Sequence, residues 1–319
     1  MKYMFDLITI LGPTASGKTS LAVALAADLN TEIISADSIQ VYKYMDIGSA
    51  KIKKEEMHGI KHYLIDEFEP DDEFNVNVFQ KLTKKYINEI YEKGKTPIIV
   101  GGTGFYIQSV LYDIDFDETE DNHEYRKTLE QIYKDKGVQY LYNMLKEVDE
   151  ESAKAIHYNN VKRVIRALEY NHQTGKKISD HNKEQREHAS PYNFKYFVLN
   201  DKRELLYSRI NKRVDFMIKE GLVDEVKSLL DKGYDRNLVS MQGIGYKEII
   251  EYLDGKISLD EAVELIKKNT RHFAKRQLTW FRREKTVTMV NWDEYDYDKN
   301  KLLACMLKDL REINIIKDK

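Results

Sequence analysis

The strongest chemical signal in the sequence is a glycine-rich loop near its beginning. The loop has the pattern GxxxxGK[ST] and consists of Gly12, Pro13, Thr14, Ala15, Ser16, Gly17, Lys18 and Thr19. In such a P-loop the backbone amides curl around phosphate oxygens, Lys18 adds a full positive charge, and the Thr19 hydroxyl can reach a Mg²⁺ ion. An apolar run precedes the loop and a helical pattern follows it, as this motif requires. The sequence therefore predicts a site for a diphosphate or a nucleotide.

The residues around the P-loop bear on the reaction that it serves. Kinases, ATPases and other transferases all hold phosphates in such a loop, so the loop alone does not name the chemistry. In a hydrolysing ATPase, a core strand commonly ends in an acidic residue that helps to hold Mg²⁺. Here the strand predicted at Ile98–Val100 is followed by Gly101-Gly102-Thr103-Gly104. This ending disfavours an ATPase, and it leaves the Thr103 hydroxyl on a backbone that can approach a substrate closely.

A carboxylate, that of Asp37, follows the strand predicted at Ile33–Ile34. Open α/β sheets bind their ligands beyond the carboxyl ends of the strands, so this position makes Asp37 a candidate catalytic residue. Two other interpretations stay open. Asp37 can cap the segment that follows it, or it can be a ligand of Mg²⁺.

A sheet has to position these residues, and short apolar runs predict its strands. The runs lie at Leu7–Leu11, Ile33–Ile34, Tyr63–Ile65, Ile98–Val100 and Tyr196–Leu199, with a late strand at Val287–Val290. Such runs are typical of parallel strands that are buried on both faces. Helical patterns at Thr19–Leu29 and Val78–Tyr91 lie between them. The alternation predicts an α/β fold, with a parallel sheet flanked by helices as in the P-loop nucleoside-triphosphate hydrolases.

The pattern changes after Asp113. An acidic linker extends through Asp121, and the segments after it have a helical pattern until the strand at Tyr196–Leu199. We therefore expect an inserted all-helical domain at 116–194, within a catalytic core formed by 1–115 and 195–319. From Arg203 onward the chain is again mostly helical in pattern.

Charge and cysteine content limit the partners and the compartment. A formal net charge of -3 gives no general attraction to a polyanion, so a nucleic-acid partner would need a local basic patch. Cys305 is the only cysteine, which excludes an internal disulfide and a cysteine-based zinc site and fits a reducing cytoplasm. The apolar run at Leu7–Leu11 is too short to span a membrane. We expect a cytoplasmic monomer without a membrane partner.

Several stretches, distributed over nearly the whole chain, resemble one family. They are GPTASGKTSLA at Gly12, ISADSIQVYKYMDIGSAK at Ile34, HYLID at His62, GGTGFYI at Gly101, RVIRALE at Arg163, RVDFMIKEGLVDEV at Arg213, GIGYKE at Gly243 and TRHFAKRQLTWFRR at Thr270. In this order they resemble the bacterial tRNA dimethylallyltransferases, also called tRNA isopentenyltransferases. Two stretches depart from the family's pattern: Ile156 to Asn160 reads IHYNN instead of IHPND, and Ser49 to Ile52 reads SAKI instead of TAKP.

The resemblance implies a reaction between dimethylallyl diphosphate and tRNA. The exocyclic amine of the adenosine next to the anticodon on its 3′ side, in tRNAs reading codons that begin with U, would displace the diphosphate. Lys18, Arg213, the P-loop amides and a Mg²⁺ near Thr19 would stabilise the charge on the leaving group. A solvated position for Arg213, on a helix at Arg209–Lys219, stays open as the alternative.

The same resemblance assigns the proton transfer. The amine is a poor nucleophile, and a base that takes its proton accelerates such a reaction by about 10² to 10⁴. Asp37 would be this base, with Thr103 as its hydrogen-bonding partner.

A basic stretch near the end of the chain is a candidate tRNA contact. Within Lys267–Lys285 it contains Lys267, Lys268, Arg271, Lys275, Arg276, Arg282, Arg283 and Lys285, interleaved with aromatic residues such as Trp280. Alone, such a run is usually a solvated helix face, and the resemblance is what favours a contact of Arg276 and Arg282 with RNA phosphates. An adenosine in a stacked anticodon loop must be drawn out of it, which requires both basic and aromatic or polar surfaces.

Other candidate RNA contacts are scattered along the chain. Arg163 and Arg166 are three residues apart and share a helix face, so they can grip the anticodon stem together, with Arg126 as a weaker candidate. By the resemblance, the anticodon loop also contacts the segments 37–40 and 243–246, which include Asp37, Ser38, Ile39, Gln40, Gly243 and Gly245, together with Thr103.

Two other functions compete with tRNA prenylation. In a small-molecule P-loop kinase, the loop would hold nucleotide phosphates and Asp37 would deprotonate an alcohol. A non-catalytic RNA-binding protein with a relic P-loop is disfavoured because Lys18, Thr19, Asp37 and Thr103 are all present together.

Overall fold

The computed structural model describes residues 5–116, 123–284 and 286–317. The chain forms two compact units, one made of Met1–Leu111 and Pro191–Lys319 and the other of Tyr112–Ser190. Two sequence features lie outside the described residues: Lys285 of the basic stretch, and residues 117–121 of the acidic linker. None of the described helices is both long enough and apolar enough to cross a membrane.

The first unit is built on a parallel sheet. Its described strands are β1 (Phe5–Leu11), β2 (Ile33–Ala36), β3 (His62–Tyr63), β4 (Ile98–Gly101), β5 (Tyr192–Asn200) and β6 (Val287–Asn291), in the order β3-β2-β4-β1-β5-β6. All neighbours pair in parallel. The central strands β1, β2 and β4 are buried over most of their length, which is why they read as continuous apolar runs. The predicted α/β fold with a parallel sheet is confirmed.

Twelve helices are described, and they are numbered here along the chain. They are α1 (Lys18–Leu29), α2 (Val76–Glu92), α3 (Gly104–Leu111), α4 (His123–Val148), α5 (Glu150–Ala155), α6 (Val161–Thr174), α7 (Ile178–Glu187), α8 (Arg203–Lys219), α9 (Leu222–Asp231), α10 (Tyr246–Leu253), α11 (Leu259–Phe281) and α12 (Lys299–Glu312). On one face of the sheet, α1 and α12 share a core that includes Leu21, Leu25, Leu302 and Met306. This core holds the start of α1, and with it the P-loop, against the sheet.

The register of the central strands brings the candidate catalytic and phosphate-binding residues to one edge of the sheet. β4 lies between β1 and β2, and Gly101 pairs with both Leu11 and Ala36. The residues that follow these three strands, including the P-loop, Asp37 and Thr103, therefore emerge side by side at the carboxyl ends.

Several predicted boundaries were wrong, and three of them matter for the architecture. The strand expected at Tyr63–Ile65 ends at Tyr63, because Leu64 has a φ of 60° and turns the chain out of the sheet. The strand expected at Tyr196–Leu199, β5, begins at Tyr192, because it follows all of β1 in register. The helix expected at Arg209–Lys219 begins at Arg203.

The second unit has only helices as regular elements in its described residues, 112–116 and 123–190. α4 is interrupted at Gly137, which has a φ of 81°. Its two parts pack with α6 around a core of Leu129, Leu141, Leu145, Val164, Ile165 and Leu168. The apolar residues of α6 face this core, so that its arginines lie on the opposite, exposed face.

One buried carboxylate, that of Asp149, joins two helix starts in this unit. Asp149 is 1% exposed and accepts hydrogen bonds from the backbone N and the Oγ of Ser152 and of Ser179, at 2.7 to 3.0 Å. Burial alone would raise the pKa of Asp149, but these hydrogen bonds lower it below its usual value. The ionised carboxylate therefore stabilises the beginnings of both α5 and α7.

We expect Asp149→Ala to lower the free energy of unfolding by about 2 to 4 kcal/mol, because it leaves several buried donors without an acceptor. The folded pKa lies below the unfolded one, so this stabilisation is present at neutral pH and is lost as the pH falls through the folded pKa. Urea unfolding at pH 7 and at acidic pH measures both effects. The exposed neighbour Asp180 is the control, and an Asp149→Ala variant as stable as Asp180→Ala would contradict this role.

Candidate active site

The P-loop leaves the backbone amides at the start of α1 available to an anion. Ala15 and Gly17 have φ values of 62° and 85°, so the backbone curls back before α1 begins. The residue before α1 is Gly17, which offers no side-chain cap, and the first turn contains no acidic residue. Unpaired N–H groups and the positive end of the helix dipole thus face the same point. This is the geometry of a phosphate site.

The glycines of the P-loop are needed for space as well as for conformation. A Cβ atom on Gly12 would lie 2.7 Å from Oγ of Ser16 and 2.9 Å from the carbonyl oxygen of Leu199 on β5. A Cβ atom on Gly17 would lie 3.1 Å from the ring of Trp292. Any larger residue at position 12 would therefore displace the loop from the sheet.

Two cations lie at the P-loop. Nζ of Lys18 donates a hydrogen bond to the carbonyl oxygen of Pro13 (3.3 Å), and a guanidinium nitrogen of Arg213 on α8 donates to Oγ1 of Thr14 (3.4 Å). Desolvation and the nearby Arg213 lower the pKa of Lys18 to about 8, while Asp37 acts in the opposite sense. An anion that binds between Lys18 and Arg213 would stabilise the charged form of the lysine. The structure thus brings Arg213 to the P-loop.

Asp37 uses one carboxylate oxygen to cap the turn that follows it. Its Oδ1 accepts hydrogen bonds from the backbone N of Ile39 (2.9 Å) and of Gln40 (3.3 Å). This agrees with the capping interpretation for that oxygen. In the described part of the chain nothing donates to Oδ2, so this oxygen can accept a proton or contact a metal ion. The capping role of Oδ1 is therefore compatible with a chemical role of Oδ2.

Thr103 lies between β4 and α3, at the neighbouring strand end. Its side chain makes no hydrogen bond to Asp37 or to any other described residue.

The sequence analysis missed Tyr106, one turn further along α3. Burial raises the pKa of Tyr106 to about 12, with smaller contributions from Tyr42 and Asp37, so its phenol stays neutral beside the carboxylate. The sequence feature that could have indicated Tyr106 is its position in the GGTGFYI stretch.

A cavity opens beside the P-loop, next to Lys18 and Thr19. Its apolar wall consists of Ala22, Ile33, Ile52, Ile65 and Val100. The polar residues around it are Ser35, Asp37, Gln40 and His62. A cavity with a cationic end, a carboxylate and an apolar wall suits a ligand that joins a phosphate to a hydrocarbon group.

The protein groups near Thr19 suit a metal ion only when a ligand shares it. Thr19 is exposed and lies at the cavity. Within residues 5–116, 123–284 and 286–317, no group of three or more His, Cys, Asp or Glu side chains can hold a metal ion. Mg²⁺ commonly keeps several waters and binds through few protein ligands together with substrate phosphates. A hydroxyl and one carboxylate are compatible with that mode.

The candidate anticodon-loop segments meet in the first unit. A Cβ atom on Gly243 would lie 3.3 Å from Cδ1 of Ile39, so these two segments touch. Nε2 of Gln40 is engaged by the carbonyl oxygens of Ser49 and Ala50, and the backbone N of Gly245 donates to Glu248. Ser38 lies in the turn capped by Asp37.

Tyr246 does not belong to the exposed part of these segments. It is 1% exposed, and its hydroxyl donates to Glu225 (2.8 Å). The same carboxylate accepts hydrogen bonds from the backbone N of residues 46, 47 and 48. The Tyr246 ring is therefore part of the core that anchors the 46–48 loop, and the predicted RNA contact of this segment rests on its other residues.

The basic stretch divides into internal and exposed residues. Lys267 pairs with Asp215 (2.8 Å), and Arg271 donates to Oδ1 of Asn211 (2.6 Å), so both hold α11 against α8. The exposed basic residues of this stretch are Lys268, Lys275, Arg276, Arg282 and Arg283. The guanidinium of Arg276 also lies 5.7 Å from the ring centroid of Phe273. The exposed group remains the candidate RNA contact.

In the second unit, Arg163 and Arg166 are exposed on one face of α6. Arg126 is different, because its Nε lies 3.7 Å from Oε1 of the buried Glu169 and 3.8 Å from Oε1 of Glu130. Arg126 therefore balances a buried carboxylate within this unit.

Sequence reasoning also missed two side chains that support the P-loop from distant parts of the chain. Nε1 of Trp292, which follows β6, donates to the carbonyl oxygen of Ser16 (2.7 Å). Oε1 of Gln277 on α11 accepts a hydrogen bond from the backbone N of Thr14 (3.1 Å). No local pattern distinguishes either residue.

Comparison with known proteins agrees with this geometry. The chain matches the family model described as IPP transferase over residues 40–284. It is 57% identical over 314 residues to the tRNA dimethylallyltransferase of Lachnoclostridium phytofermentans, covering 98% of this chain and 100% of that protein. It is 53% identical over 294 residues to the tRNA dimethylallyltransferase of Clostridioides difficile, covering 91% and 93%.

Two solved structures are similar over nearly the whole chain. The full-length tRNA isopentenylpyrophosphate transferase of Bacillus halodurans has a TM-score of 0.72 at 44% identity, covering 97% of this chain and 98% of that one. A eukaryotic dimethylallyltransferase acting on tRNA has a TM-score of 0.79 at 28% identity, covering 99% of this chain and 81% of that one.

Proposed function

Because the chain belongs to the IPP transferase family, we propose that it prenylates the adenosine next to the anticodon on its 3′ side, in tRNAs reading codons that begin with U. The chain is a tRNA prenyltransferase, as are relatives with 57% and 53% identity to it. The donor is dimethylallyl diphosphate and the product is released with free diphosphate. The enzyme acts as a cytoplasmic monomer, and the single cysteine, Cys305, supports a reducing compartment.

The observation that carries this proposal is the pair of cations at an uncapped P-loop, at the same sheet edge as Asp37. The exocyclic nitrogen of the adenosine forms a bond to the first carbon of the dimethylallyl group while the bond from that carbon to the diphosphate oxygen breaks. Lys18, Arg213 and the P-loop amides stabilise the charge that grows on the diphosphate. The carboxylate of Asp37 takes the proton that the nitrogen loses, and Thr103 orients the adenosine.

Mg²⁺ is part of the proposal. Thr19 would hold it together with oxygens of the diphosphate. When bound, it supplies further positive charge to the leaving group. The side chains near Thr19 supply too few ligands for a metal ion alone, which supports binding of the ion together with the donor.

One incubation tests the function against the kinase alternative. The protein is mixed with Mg²⁺, unmodified tRNA and either labelled dimethylallyl diphosphate or ATP labelled in its terminal phosphate. Label from the prenyl donor is expected in the RNA, at the adenosine adjacent to the anticodon. If label from ATP enters any acceptor and label from the prenyl donor does not enter the RNA, the kinase alternative is correct.

The exposed part of the basic stretch is proposed to contact tRNA phosphates, and the second unit to contact the anticodon stem. Exposed arginines in both units support this, namely Arg276 and Arg282 in the first and Arg163 and Arg166 in the second. Arg126 is the weaker member, because it already balances Glu169.

We expect a variant with both Arg276→Ala and Arg282→Ala to bind tRNA more weakly and with a flatter salt dependence. Each lost phosphate contact should reduce the slope of log K against log salt by about 0.7 to 0.9. Binding titrations between low and physiological salt measure the slope, and donor affinity should not change. The control removes two cations of α12 with Lys301→Ala and Lys308→Ala. If the wild type and the arginine variant have equal slopes, these two arginines do not contact tRNA phosphates.

A further inference from the structure

A buried glutamine joins the two loops that frame the active site. Gln277 is 6% exposed and lies on the inner face of α11, with Ala274 and Phe281. Its Oε1 accepts a hydrogen bond from the backbone N of Thr14 (3.1 Å), and its Nε2 donates to the carbonyl oxygen of Gly102 (3.0 Å). One amide group therefore connects the P-loop with the loop that carries Thr103.

Both hydrogen bonds require an amide in one orientation. The backbone N–H of Thr14 can only donate and the carbonyl oxygen of Gly102 can only accept, so the side chain must offer an acceptor to one and a donor to the other. A glutamine in a buried position satisfies both at once. Reversing the amide would break both bonds.

The second contact also explains a glycine. A Cβ atom on Gly102 would lie 2.1 Å from Nε2 of Gln277, so only glycine allows the amide this close to the backbone. Gly102 does not have a positive φ. The second glycine of the GGTG stretch is therefore needed for space at this contact, rather than for backbone flexibility.

Thr14 is held at two points. Its backbone N–H is bonded to Gln277, and its hydroxyl accepts a hydrogen bond from Arg213 (3.4 Å). The link through Gln277 thus extends from the loop of Thr103, through the P-loop, to the cation of Arg213.

We propose that Gln277 is a positioning residue that sets the separation between the diphosphate loop and the loop of Thr103. This inference rests on the proposed prenyl transfer. In that reaction the carbon attached to the diphosphate and the attacking amine are bound by different loops, and both must be aligned in the transition state. A displacement of about 1 Å costs such a reaction about a hundredfold in rate.

The first test compares Gln277→Leu with Gln80→Leu. Gln80 on α2 is also 6% exposed, and its Nε2 donates to the carbonyl oxygen of Ser109 on α3 (2.7 Å), so this bond is to neither loop. Both variants should lose thermal stability. Only Gln277→Leu should lower kcat for prenylation, by about 10 to 100-fold, with KM for donor and tRNA changed by less than about threefold.

The second test uses Gln277→Glu, because a protonated carboxyl group has the same donor and acceptor pattern as the amide. When the introduced carboxyl is ionised, it places an oxygen against the carbonyl oxygen of Gly102. The ratio of variant to wild-type kcat should therefore rise as the pH falls. The same ratio for Gln80→Glu should stay constant with pH, even where its stability changes.

The outcomes separate this inference from the proposed function. A wild-type enzyme that does not prenylate tRNA would overturn the function itself. An active wild type with a Gln277→Leu variant of equal kcat, or a Gln277→Glu ratio that does not vary with pH, would leave the function intact and overturn the role of Gln277.

Discussion

Asp37→Ala is expected to slow prenylation under single-turnover conditions by at least about a hundredfold while the enzyme still binds diphosphate. General-base assistance contributes about 10² to 10⁴ to such reactions, and the alanine removes the base. The diphosphate contacts belong to the P-loop, Lys18 and Arg213, which the substitution does not alter. The rate is measured with enzyme in excess over labelled tRNA, and diphosphate binding by calorimetry.

The capping role of Asp37 calls for a second variant. Its Oδ1 holds the turn at Ile39 and Gln40, so the alanine variant also removes a cap. Asp37→Asn keeps an oxygen that can accept both hydrogen bonds and loses only the base. We expect it to be nearly as slow as the alanine variant. A rate close to that of the wild type in the Asn variant would show that the turn, and not the proton transfer, depends on this residue.

Lys18→Met is expected to lower kcat/KM for dimethylallyl diphosphate by about 10² to 10³, the range found when one stabilising donor is removed from a developing charge. Methionine has a similar length and no charge, so the P-loop can keep its fold. Steady-state kinetics at saturating tRNA measure the loss. A variant within threefold of the wild type would contradict the contact of Lys18 with the leaving group.

The lowered pKa of Lys18 adds a pH dependence. The pKa is about 8 in the absence of an anion, and a bound diphosphate favours the charged form. Below pH 8 the lysine is already charged. Above it, binding must take up a proton, so the affinity for pyrophosphate should fall by up to about tenfold per pH unit. Lys18→Arg stays charged, so the ratio of wild-type to variant affinity should fall with pH only above about 8. A constant ratio would contradict this.

Much of the site was readable from the sequence because its parts are contiguous. The P-loop is a backbone motif of neighbouring residues between a strand and a helix, and both elements were predicted from apolar runs and helical spacing. The position of Asp37 beyond β2 followed from the rule that parallel strands gather ligands at their carboxyl ends. Burial on both faces is what made these short strands recognisable as apolar runs.

The ends of the strands and the buried partners of charged residues were harder to predict from the sequence. A single residue with positive φ, Leu64, ended β3 early, and an apolar side chain gives no sign of that conformation. Lys267 and Arg271 look the same in sequence as Arg276 and Arg282, yet the first two pair with α8 and the last two are exposed. The spacing of charges along α11 does not indicate which of its residues pack against another helix.

The sequence alone established the phosphate loop, the parallel α/β sheet and the family resemblance, because each is encoded in local runs of residues. Only the folded chain showed what holds the loop in place. Gln277 bonds to Thr14 across 263 positions and Trp292 to Ser16 across 276. Such contacts depend on strand order and helix packing, so no local pattern specifies them. For the same reason, only the structure showed that burial and the nearby Arg213 lower the pKa of Lys18 at the P-loop, where a bound anion would raise it again.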